Sequence, residues 1–336
     1  MLNAAIIGWG GISKAHRRGY EILKQEGKVR LVAACDIDPE AFQRSTATNM
    51  DSGEAAVQEN VHFYTELDEM LQNEKLDYVD ICTPTFCHKE LAVKLLKKGY
   101  HVISEKPMAL CWDDCKEMVD TAEASGKHLM IAQCVRFFKE YEFLKACVDD
   151  NRYGKVISAY FSRLSIPPIW GTNNWFMDYS KSGGAITDFH VHDIDFIRYL
   201  FGEPEAVSCR AAHDLSLYDA VHSVLTYGDV PVTAVGDWSL TGMQFVASYR
   251  VGLEKATIVY DGEKVTVYPK DGSEIFSPEL QGHDGYTAEI SYFCDVVAGK
   301  IENTKNPAIS AAKSIRLIEK LKESAENKGS TVCICE

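Results

Sequence analysis

Two histidines and three aspartates lie within eight positions of the stretch GGAITDFHVHDID. Such side chains bind metal ions or transfer protons, and histidine transfers protons near neutral pH. In a regular α-helix, Asp188, His192 and Asp195 would share one face. His190 would then lie roughly opposite, and Asp193 well away. Because one helix cannot bring all five groups to one point, the segment predicts a proton-transfer pair, Asp188 and His192, and no metal site.

A glycine turn, GWGGIS, follows an apolar run and precedes a helical stretch. Gly8 would permit the tight turn and Gly10 the close approach of a pyrophosphate to the backbone, next to the N–H groups of a helix N-terminus. The third fingerprint position is Ser13 instead of Gly or Ala, so the motif alone is weak. Asp36 ends the next apolar run, where an acid binds the ribose hydroxyls of NAD and repels the 2′-phosphate of NADP. The alternative is that Asp36 is a turn residue before Asp38.

Bulk composition narrows the class of protein. The 336 residues are 46% hydrophobic and 25% charged, as in an ordinary globular protein of about two domains. A formal charge of −14 argues against nucleic-acid and anionic-membrane partners. The sequence contains no apolar run of membrane-spanning length and no signal-peptide pattern, so we expect a cytoplasmic protein. The eleven cysteines lie in apolar contexts typical of a reducing compartment, and neither Cys111/Cys115 nor Cys333/Cys335 has the four-ligand pattern of a zinc site.

Strand-like and helix-like segments alternate over residues 1–134, and the strand-like runs are almost continuously apolar. This pattern predicts a parallel sheet covered on both faces, an α/β domain of the Rossmann type. The chemistry-bearing residues follow the predicted strands directly, and ligands of such sheets bind beyond the carboxyl ends of the strands. We therefore expect one crevice to collect them.

The pattern changes over residues 135–336, for which we predict an α+β domain. An irregular stretch with Trp170 and Trp175 leads to a helical segment from Gly184 to Phe201. Alternating strand-like runs then predict a large, mostly antiparallel sheet with one open face. Two helices follow, and we expect the last, residues 310–326, to pack back on the first domain.

Three further motifs carry a resemblance that covers essentially the whole chain: CTPTFCH at residues 82–88, EKP at residues 105–107, and the GG…D-x-x-x-H pattern that includes Asp188 and His192. In this order, after the glycine turn, they resemble the Gfo/Idh/MocA family of NAD(P)-dependent oxidoreductases, which act on sugars, cyclitols and related polyols. The resemblance implies hydride transfer between nicotinamide and a hydroxyl or keto group of such a substrate.

The resemblance also implies roles for single residues. The residues implied in cofactor binding are Gly8, Gly10, Gly11, Ile12, Asp36, Thr83, Pro84, His88, Glu105, Lys106 and Gln133. Those implied in substrate binding, or placed there by position near the implied site, are Lys106, Arg136, Trp175, Asp188, His190, His192, His283 and Tyr286. Lys106 corresponds to the catalytic lysine, beside a Lys106–Pro107 bond expected to be cis. His192 is the expected general base for alcohol oxidation and Asp188 the orienting acid.

Several alternatives stay open at this point. Relatives usually carry glycine where this chain has His190, which therefore either lines the pocket or has a structural role. The same residues would suit an enzyme that oxidises a glycoside transiently with retained NAD and cleaves it by elimination, or a sugar-sensing protein without catalysis. The open sheet face implies a homodimer or homotetramer, with Val246, Tyr249 and Val259 as candidate contacts.

Overall fold

The structure is a computed structural model, and it describes residues 1–43, 60–169 and 171–334. Trp170 and Cys335 lie outside the described residues. The chain divides into two compact units. Unit 1 comprises Met1–Cys134, Trp170–Trp175 and His283–Lys313. Unit 2 comprises Val135–Ile169, Phe176–Gly282 and Ser314–Glu336.

The strands are β1 (Leu2–Ile7), β2 (Val29–Cys35), β3 (His62–Tyr64), β4 (Tyr78–Ile81), β5 (His101–Glu105), β6 (Leu129–Ala132), β7 (Val156–Leu164), β8 (Ala206–Ala212), β9 (Ala220–Tyr227), β10 (Val230–Asp237), β11 (Val246–Leu253), β12 (Ala256–Tyr260), β13 (Val265–Pro269) and β14 (Val332–Cys333). The helices are α1 (Ser13–Gln25), α2 (Leu67–Asn73), α3 (His88–Lys97), α4 (Trp112–Ser125), α5 (Lys139–Asp149), α6 (Tyr179–Ser182), α7 (Gly184–Asp188), α8 (Val191–Phe201), α9 (Gly285–Val297) and α10 (Ala308–Glu326). Short 3₁₀ turns occupy Pro39–Gln43, Thr85–Cys87, Cys134–Phe137 and Thr172–Met177.

Unit 1 contains a parallel sheet in the order β3-β2-β1-β4-β5-β6. The order reverses between β1 and β4, as in dinucleotide-binding α/β domains. Strands β4, β5 and β6 and most of β1 and β2 are buried on both faces, which explains their apolar runs, whereas β3 is largely exposed. The predicted Rossmann-type sheet is therefore confirmed.

Helix α9 belongs to unit 1, although it lies more than 280 residues along the chain. It packs against α1, where a Cβ atom at Gly19 would lie 3.2 Å from the Ile290 side chain. The expected boundary at residue 134 therefore omits this helix and the segment Trp170–Trp175. Sequence periodicity finds an apolar helix face but does not say which sheet it covers.

Unit 2 contains a sheet in the order β13-β12-β11-β7-β10-β9-β8-β14. All its pairings are antiparallel except that of β7 with β10, so the predicted mostly antiparallel sheet is confirmed. Buried and exposed residues alternate along β9, and Val224 is 45% exposed. Tyr249 is buried, which removes it from the three candidate contacts of the open face. Val246 and Arg250 lie four residues apart on β11 and therefore on one face, and Arg250 pairs with Val259 on β12. Val246 and Val259 therefore share the face opposite to that of Tyr249.

The predicted helix from Gly184 to Phe201 is interrupted at Phe189 and His190. The N–H groups of both residues donate to the carbonyl oxygen of Ala185, at 3.0 and 2.8 Å. One turn therefore contains an extra residue, as in a π-bulge. The extra residue rotates α8 relative to α7, so the stripe of a regular helix does not extend from Asp188 to Asp195.

The last helix also departs from expectation. From Ser314 onward α10 belongs to unit 2, not to the first domain. The Ser324 hydroxyl oxygen accepts the N–H of Cys209 on β8 at 2.8 Å, and the Tyr218 hydroxyl donates to Glu326 at 2.9 Å. These bonds fix the second half of the helix on the second sheet. Among the helices described, none has the length and apolar character that a membrane crossing requires.

Candidate cofactor and substrate site

Five residues follow directly on the last residues of parallel strands: Gly8 after β1, Asp36 after β2, Cys82 after β4, Lys106 after β5 and Gln133 after β6. The strand register aligns the ends of β1, β2 and β4. Unit 1 therefore collects these residues at one edge of its sheet, on both sides of the point where the strand order reverses.

The glycine turn is shaped for the close approach of a ligand to the backbone. Gly8 has φ +91°, and a Cβ atom there would lie 2.7 Å from the Cys82 carbonyl oxygen. A Cβ atom at Gly10 would meet no atom within 4 Å, so space is open above this turn. Ser13 donates its hydroxyl to the Gly10 carbonyl at 2.7 Å and thereby closes the turn at the degenerate fingerprint position. Gly11 and Ile12 lead into α1, whose N-cap makes no side-chain hydrogen bond.

Asp36 has the turn role weighed for it and keeps free capacity for a ligand. One carboxylate oxygen accepts the N–H of Trp9 at 2.7 Å, and the other accepts the N–H of Asp38 at 2.9 Å. The carboxylate thus fixes the glycine turn and its own turn. Each oxygen keeps a second lone pair, so the residue can still accept ribose hydroxyl groups.

Two buried polar atoms at this sheet edge have no hydrogen-bond partner among the described residues, Thr83 Oγ1 and Gln133 Nε2. A buried polar group left unsatisfied costs about 1–3 kcal/mol. Together with half-buried Pro84, these atoms fit a ligand that brings polar groups of its own, as NAD does.

The side chain of His88, for which the resemblance implied a cofactor contact, is turned toward the backbone. It is fully buried, with Nδ1 2.8 Å from the Pro107 carbonyl oxygen and Nε2 2.9 Å from that of Thr83. Burial lowers its pKa, although both carbonyls oppose this shift. His88 therefore ties the loop after β4 to the turn after β5, and the structure assigns it a supporting role in place of direct cofactor contact.

The Lys106–Pro107 bond is cis, as predicted. Lys106 is half-buried, whereas Glu105 is almost completely buried. The Glu105 carboxylate accepts the N–H of Lys106 at 3.1 Å through Oε2, and Oε1 lies 2.9 Å from His16 Nε2. Glu105 thus points into unit 1 and supports the backbone of Lys106.

A buried polar cluster that the sequence did not predict lies next to the turn at Lys106. His16 Nδ1 lies 2.8 Å from Asp80 Oδ2, which also accepts the Tyr20 hydroxyl at 2.9 Å. Burial lowers the pKa of His16, but the charge and hydrogen bond of Asp80 outweigh it, so the net pKa lies well above the usual value. The one available signal was an aspartate inside the apolar run DYVDIC.

In unit 2, Asp188 ends α7 and is buried, and half-buried His192 lies in the first turn of α8. The wide turn at Phe189 and His190 separates the two helices. Asp195, which a regular helix would place on the same stripe, instead has its carboxylate bound by Arg136 and Ser314.

His190 is fully buried inside unit 2, which favours the structural alternative over a place in the pocket. Its Nε2 atom lies 2.9 Å from the Ser223 hydroxyl on β9, and a Cβ atom at Gly236 on β10 would lie 2.7 Å from its Nδ1 atom. Burial, with the charges of Arg163 and His222, lowers the pKa of His190 to about 3. The imidazole is therefore neutral at physiological pH and packs the interrupted helix against the sheet.

Two arginines form buried ion pairs in unit 2. Arg136, an expected substrate residue, binds both carboxylate oxygens of Asp195 at 2.7 Å and is 1% exposed. Arg163 binds both oxygens of Asp193 at 3.0 and 3.1 Å. The Arg136 guanidinium is buried and already bound to Asp195. The geometry therefore favours a structural role for Arg136 and does not support the expected substrate contact.

The remaining predicted residues belong to unit 1. His283 Nε2 lies 2.9 Å from Glu26 Oε1, and both side chains are about one-third exposed, which favours a surface hydrogen bond over substrate contact. Asp284 caps α9 by accepting the N–H groups of Tyr286 and Thr287. Half-buried Tyr286 lies with its ring centroid 6.3 Å from that of His16. Substrate contacts of Tyr286 and half-buried Trp175 stay predictions.

Comparison with known proteins supplies the family context. Residues 2–133 match the model of an oxidoreductase family with an NAD-binding Rossmann fold, and residues 141–259 match that of the GFO/IDH/MocA C-terminal domain. Over 205 residues the chain is 31% identical to the 2,7-anhydro-N-acetylneuraminate hydratase of Mediterraneibacter gnavus, covering 61% of this chain and 50% of that protein. Over 294 residues it is 27% identical to the inositol 2-dehydrogenase of Rhizobium meliloti, covering 84% of this chain and 79% of that protein. The chain spans half or less of the length of the first curated relatives it matches.

Among solved structures, levoglucosan dehydrogenase in complex with NADH and levoglucosan matches with a TM-score of 0.84 at 19% identity over 100% of both chains. An oxidoreductase from Agrobacterium radiobacter, in complex with NAD⁺, L-tartaric acid and magnesium, matches with a TM-score of 0.80 at 20% identity over 99% of this chain and 98% of that one. At this identity the likeness establishes the fold.

Proposed function

Because the chain belongs to the Gfo/Idh/MocA oxidoreductase family, we propose that it is an NAD-dependent oxidoreductase of a sugar, cyclitol or sugar derivative. The reaction is hydride transfer between nicotinamide and a hydroxyl or keto group. The observation that carries the proposal is the set of ligand-type residues at one sheet edge of unit 1: the glycine turn, Asp36, Gln133 and the turn at Lys106.

In the proposed cofactor site, the turn from Gly8 to Ile12 holds the pyrophosphate and Asp36 the adenosine ribose. Thr83, Pro84 and Gln133 line the nicotinamide end, where the buried Thr83 Oγ1 and Gln133 Nε2 atoms bind polar groups. We propose NAD over NADP because the Asp36 carboxylate would repel a 2′-phosphate.

Nicotinamide, when bound, supplies the hydride acceptor or donor. The protein moves the alcohol proton and stabilises charge on the reacting oxygen. We assign proton removal to His192 and its orientation to Asp188, since imidazole suits proton transfer near neutral pH. We assign charge stabilisation at the oxygen to Lys106. These three roles rest on the family pattern.

The test is turnover of the wild-type protein with NAD and NADP on inositols, hexoses, amino sugars and glycosides, followed by NADH absorbance. Lys106→Met and His192→Ala should each lower kcat about 100-fold or more, because general acid–base groups contribute about 10²–10⁴-fold. Lys116→Met and His62→Ala, at exposed positions, are the matched controls. Wild-type turnover in both site variants would refute the assignment, and failure to bind either nucleotide would refute the proposed function.

A second candidate is oxidative glycoside cleavage, favoured by the likeness to 2,7-anhydro-N-acetylneuraminate hydratases. Such an enzyme would keep NAD through purification and release a cleaved product without net NADH. Product analysis of the same glycosides, with NADH measured in parallel, separates the two candidates.

We also propose that the open face of the second sheet pairs with a second copy of the chain. The face is continuous across eight strands, and it carries exposed Val224 together with Val246 and Val259. Exposed apolar side chains on a broad sheet are typical of interaction surfaces. A reducing compartment is proposed as well, since no disulfide joins the ten cysteines within the described ranges.

A further inference from the structure

The buried cluster of unit 1 contains a carboxyl group that the fold alone does not explain. Glu289 on α9 is fully buried, and neither carboxyl oxygen has a hydrogen-bond partner among the described residues. Its carboxyl lies with His16 and Glu105, and one nitrogen or oxygen atom from each of the three side chains lies within 4.8 Å of the other two. Burial of a carboxyl group without a hydrogen bond lowers the stability of the fold. We therefore ask what this carboxyl does for the groups beside it.

His16 joins two strand ends in this cluster. Its Nδ1 atom faces Asp80 on β4, and its Nε2 atom faces Glu105 on β5, at 2.8 and 2.9 Å. An imidazole can donate from both nitrogens only when it is protonated. With two acidic side chains as its partners, unlike the uncharged carbonyls that face His88, the His16 ring is held as an imidazolium. One of these partners, Glu105, accepts the N–H of Lys106.

We propose that His16 and Glu289 are positioning residues for Lys106: the His16 imidazolium fixes the Glu105 carboxylate, and an uncharged Glu289 leaves that ion pair undisturbed. The inference rests on the proposed function, because the exact position of Lys106 matters only if Lys106 acts on the reacting oxygen. An ionised Glu289 would compete with Glu105 for His16 and would add a third negative charge to a buried site.

The other titratable groups around His16 are consistent with this charge assignment. Cys82 follows β4, and burial raises its pKa to about 12, so the thiol is neutral. Tyr286 on α9 and Tyr20 on α1 have pKa values raised by burial and are neutral phenols. Burial, opposed by His16, raises the pKa of Glu289 well above its usual value. Around the His16 imidazolium, the thiol of Cys82, both phenols and the Glu289 carboxyl are therefore the uncharged groups.

The first experiment uses the wild-type protein. Histidine ring ¹H–¹⁵N correlation spectra at pH 8 should contain one ring protonated at both nitrogens, at which pH an ordinary histidine is neutral. The signal should disappear in His16→Gln and persist in His62→Gln, whose histidine is exposed. A neutral His16 ring at pH 8 would overturn the proposal without reference to activity or to the folding of any variant.

The second experiment compares kinetics across pH. His16→Gln should lower kcat about 10- to 100-fold, since small misplacements of reacting groups have effects of this size, with KM and the Kd for NADH within about threefold. Without the imidazolium, Asp80 and Glu105 repel each other, so one of them gains a proton and a new ionisation enters the pH profile of kcat. Glu289→Ala should lower kcat as well, and Glu289→Gln should restore most of the loss because the amide is neutral and of similar size.

The outcomes separate the proposal from its competitors. A His16→Gln variant with wild-type kcat, or with the same loss at every pH, overturns the positioning role. Loss of wild-type turnover on dialysis against a chelator, with recovery on adding Zn²⁺, overturns it in favour of a metal site at these residues. A wild-type protein that binds no nicotinamide nucleotide refutes the proposed function instead, whatever the state of the His16 ring.

Discussion

Asp36 already forms two local hydrogen bonds, and we propose that a bound ribose adds further ones. Its carboxylate accepts the N–H groups of Trp9 and Asp38 and still has lone pairs for a ligand. His88, by contrast, uses both ring nitrogens on backbone carbonyls. The difference between a ligand-binding residue and a supporting residue is therefore the hydrogen-bonding capacity that remains after folding.

Replacement of Asp36 by serine should change cofactor selectivity. We expect the Kd for NAD to rise about tenfold, equivalent to about 1.4 kcal/mol, and the preference for NAD over NADP to fall because the repulsive charge is removed. Fluorescence titration with NADH and NADPH measures both effects. Asp38→Asn is the control, since it removes a neighbouring negative charge from a carboxylate that accepts the backbone N–H of Glu40. An unchanged NADH to NADPH affinity ratio in Asp36→Ser would contradict the assignment.

At the scale of elements, the interrupted helix of unit 2 decides which polar groups stay near one another. The extra residue at Phe189 and His190 directs His190 to β9 and β10, and the carboxylate of Asp195 meets Arg136. Gly236 is the counterpart of His190 on the sheet, because any larger side chain would collide with the imidazole ring. A bulky residue at position 190 thus depends on a glycine 46 positions further along the chain.

Gly236→Ala should therefore destabilise the protein by about 1–3 kcal/mol, the usual range for overpacked interiors. His190→Ala removes the obstructing ring, so the double variant should be less destabilised than the sum of the single variants. Gly252→Ala is the matched control on β11, where the nearest atom is the flexible Ser158 Oγ at 3.1 Å. Denaturant unfolding of the four variants measures the coupling. Additive effects at positions 190 and 236 would rule out the contact.

At the scale of the whole molecule, two buried histidines make opposite contributions to the pH dependence of stability. The folded pKa of His190, about 3, lies below its ordinary value of 6.5, so the unfolded chain takes up the proton first as pH falls. The folded pKa of His16 lies above 6.5, so its contribution is complete below 6.5 and is lost as pH rises through the folded value.

The free energy of unfolding should therefore be greatest near pH 6 to 7 on these two grounds. It should fall as pH decreases from about 6.5 toward 3 through His190, and as pH increases above about 6.5 through His16. Burial raises the pKa of Glu289 above its ordinary 4.5, so its contribution falls in the same direction as that of His16 but from about pH 4.5 upward, where it opposes the effect of His190. Urea unfolding at a series of pH values should give a shallower acidic limb for His190→Asn and a shallower alkaline limb for His16→Gln. Identical slopes in both variants and the wild type would exclude these assignments.

The proposed pairing of sheet faces makes a separate prediction. Val224→Glu places a charge on the outer face of β9 and should convert the oligomer to a monomer, because burying an unpaired carboxylate at an interface is unfavourable. Ile301→Glu, which replaces an exposed side chain of unit 1, should leave the mass unchanged. Light scattering after size exclusion gives the masses. A wild-type protein that is monomeric at micromolar concentration would refute the pairing.

Local sequence patterns predict much of the fold and part of the candidate site. The glycine turn, Asp36 after its strand, and the cis bond after Lys106 follow from neighbouring residues or from a contiguous family motif, and strand periodicity gives both sheets. What periodicity could not give was the partner of each polar side chain. Arg136 and His190 looked available for substrate because their partners, Asp195 and Ser223, are 59 and 33 positions away.

The sequence by itself determined the family, the two kinds of sheet and the residues at the ends of the parallel strands, because these depend on short-range spacing and side-chain alternation. The tertiary structure decided which polar groups are already bound to one another. His16, Asp80, Glu105 and Glu289 come from four elements spread over 273 positions, and only the packing of α1 and α9 on the sheet gathers them. Such long-range contacts determine which charged groups are buried. The pKa of a buried side chain depends on all the atoms packed around it, and most of these come from distant parts of the sequence.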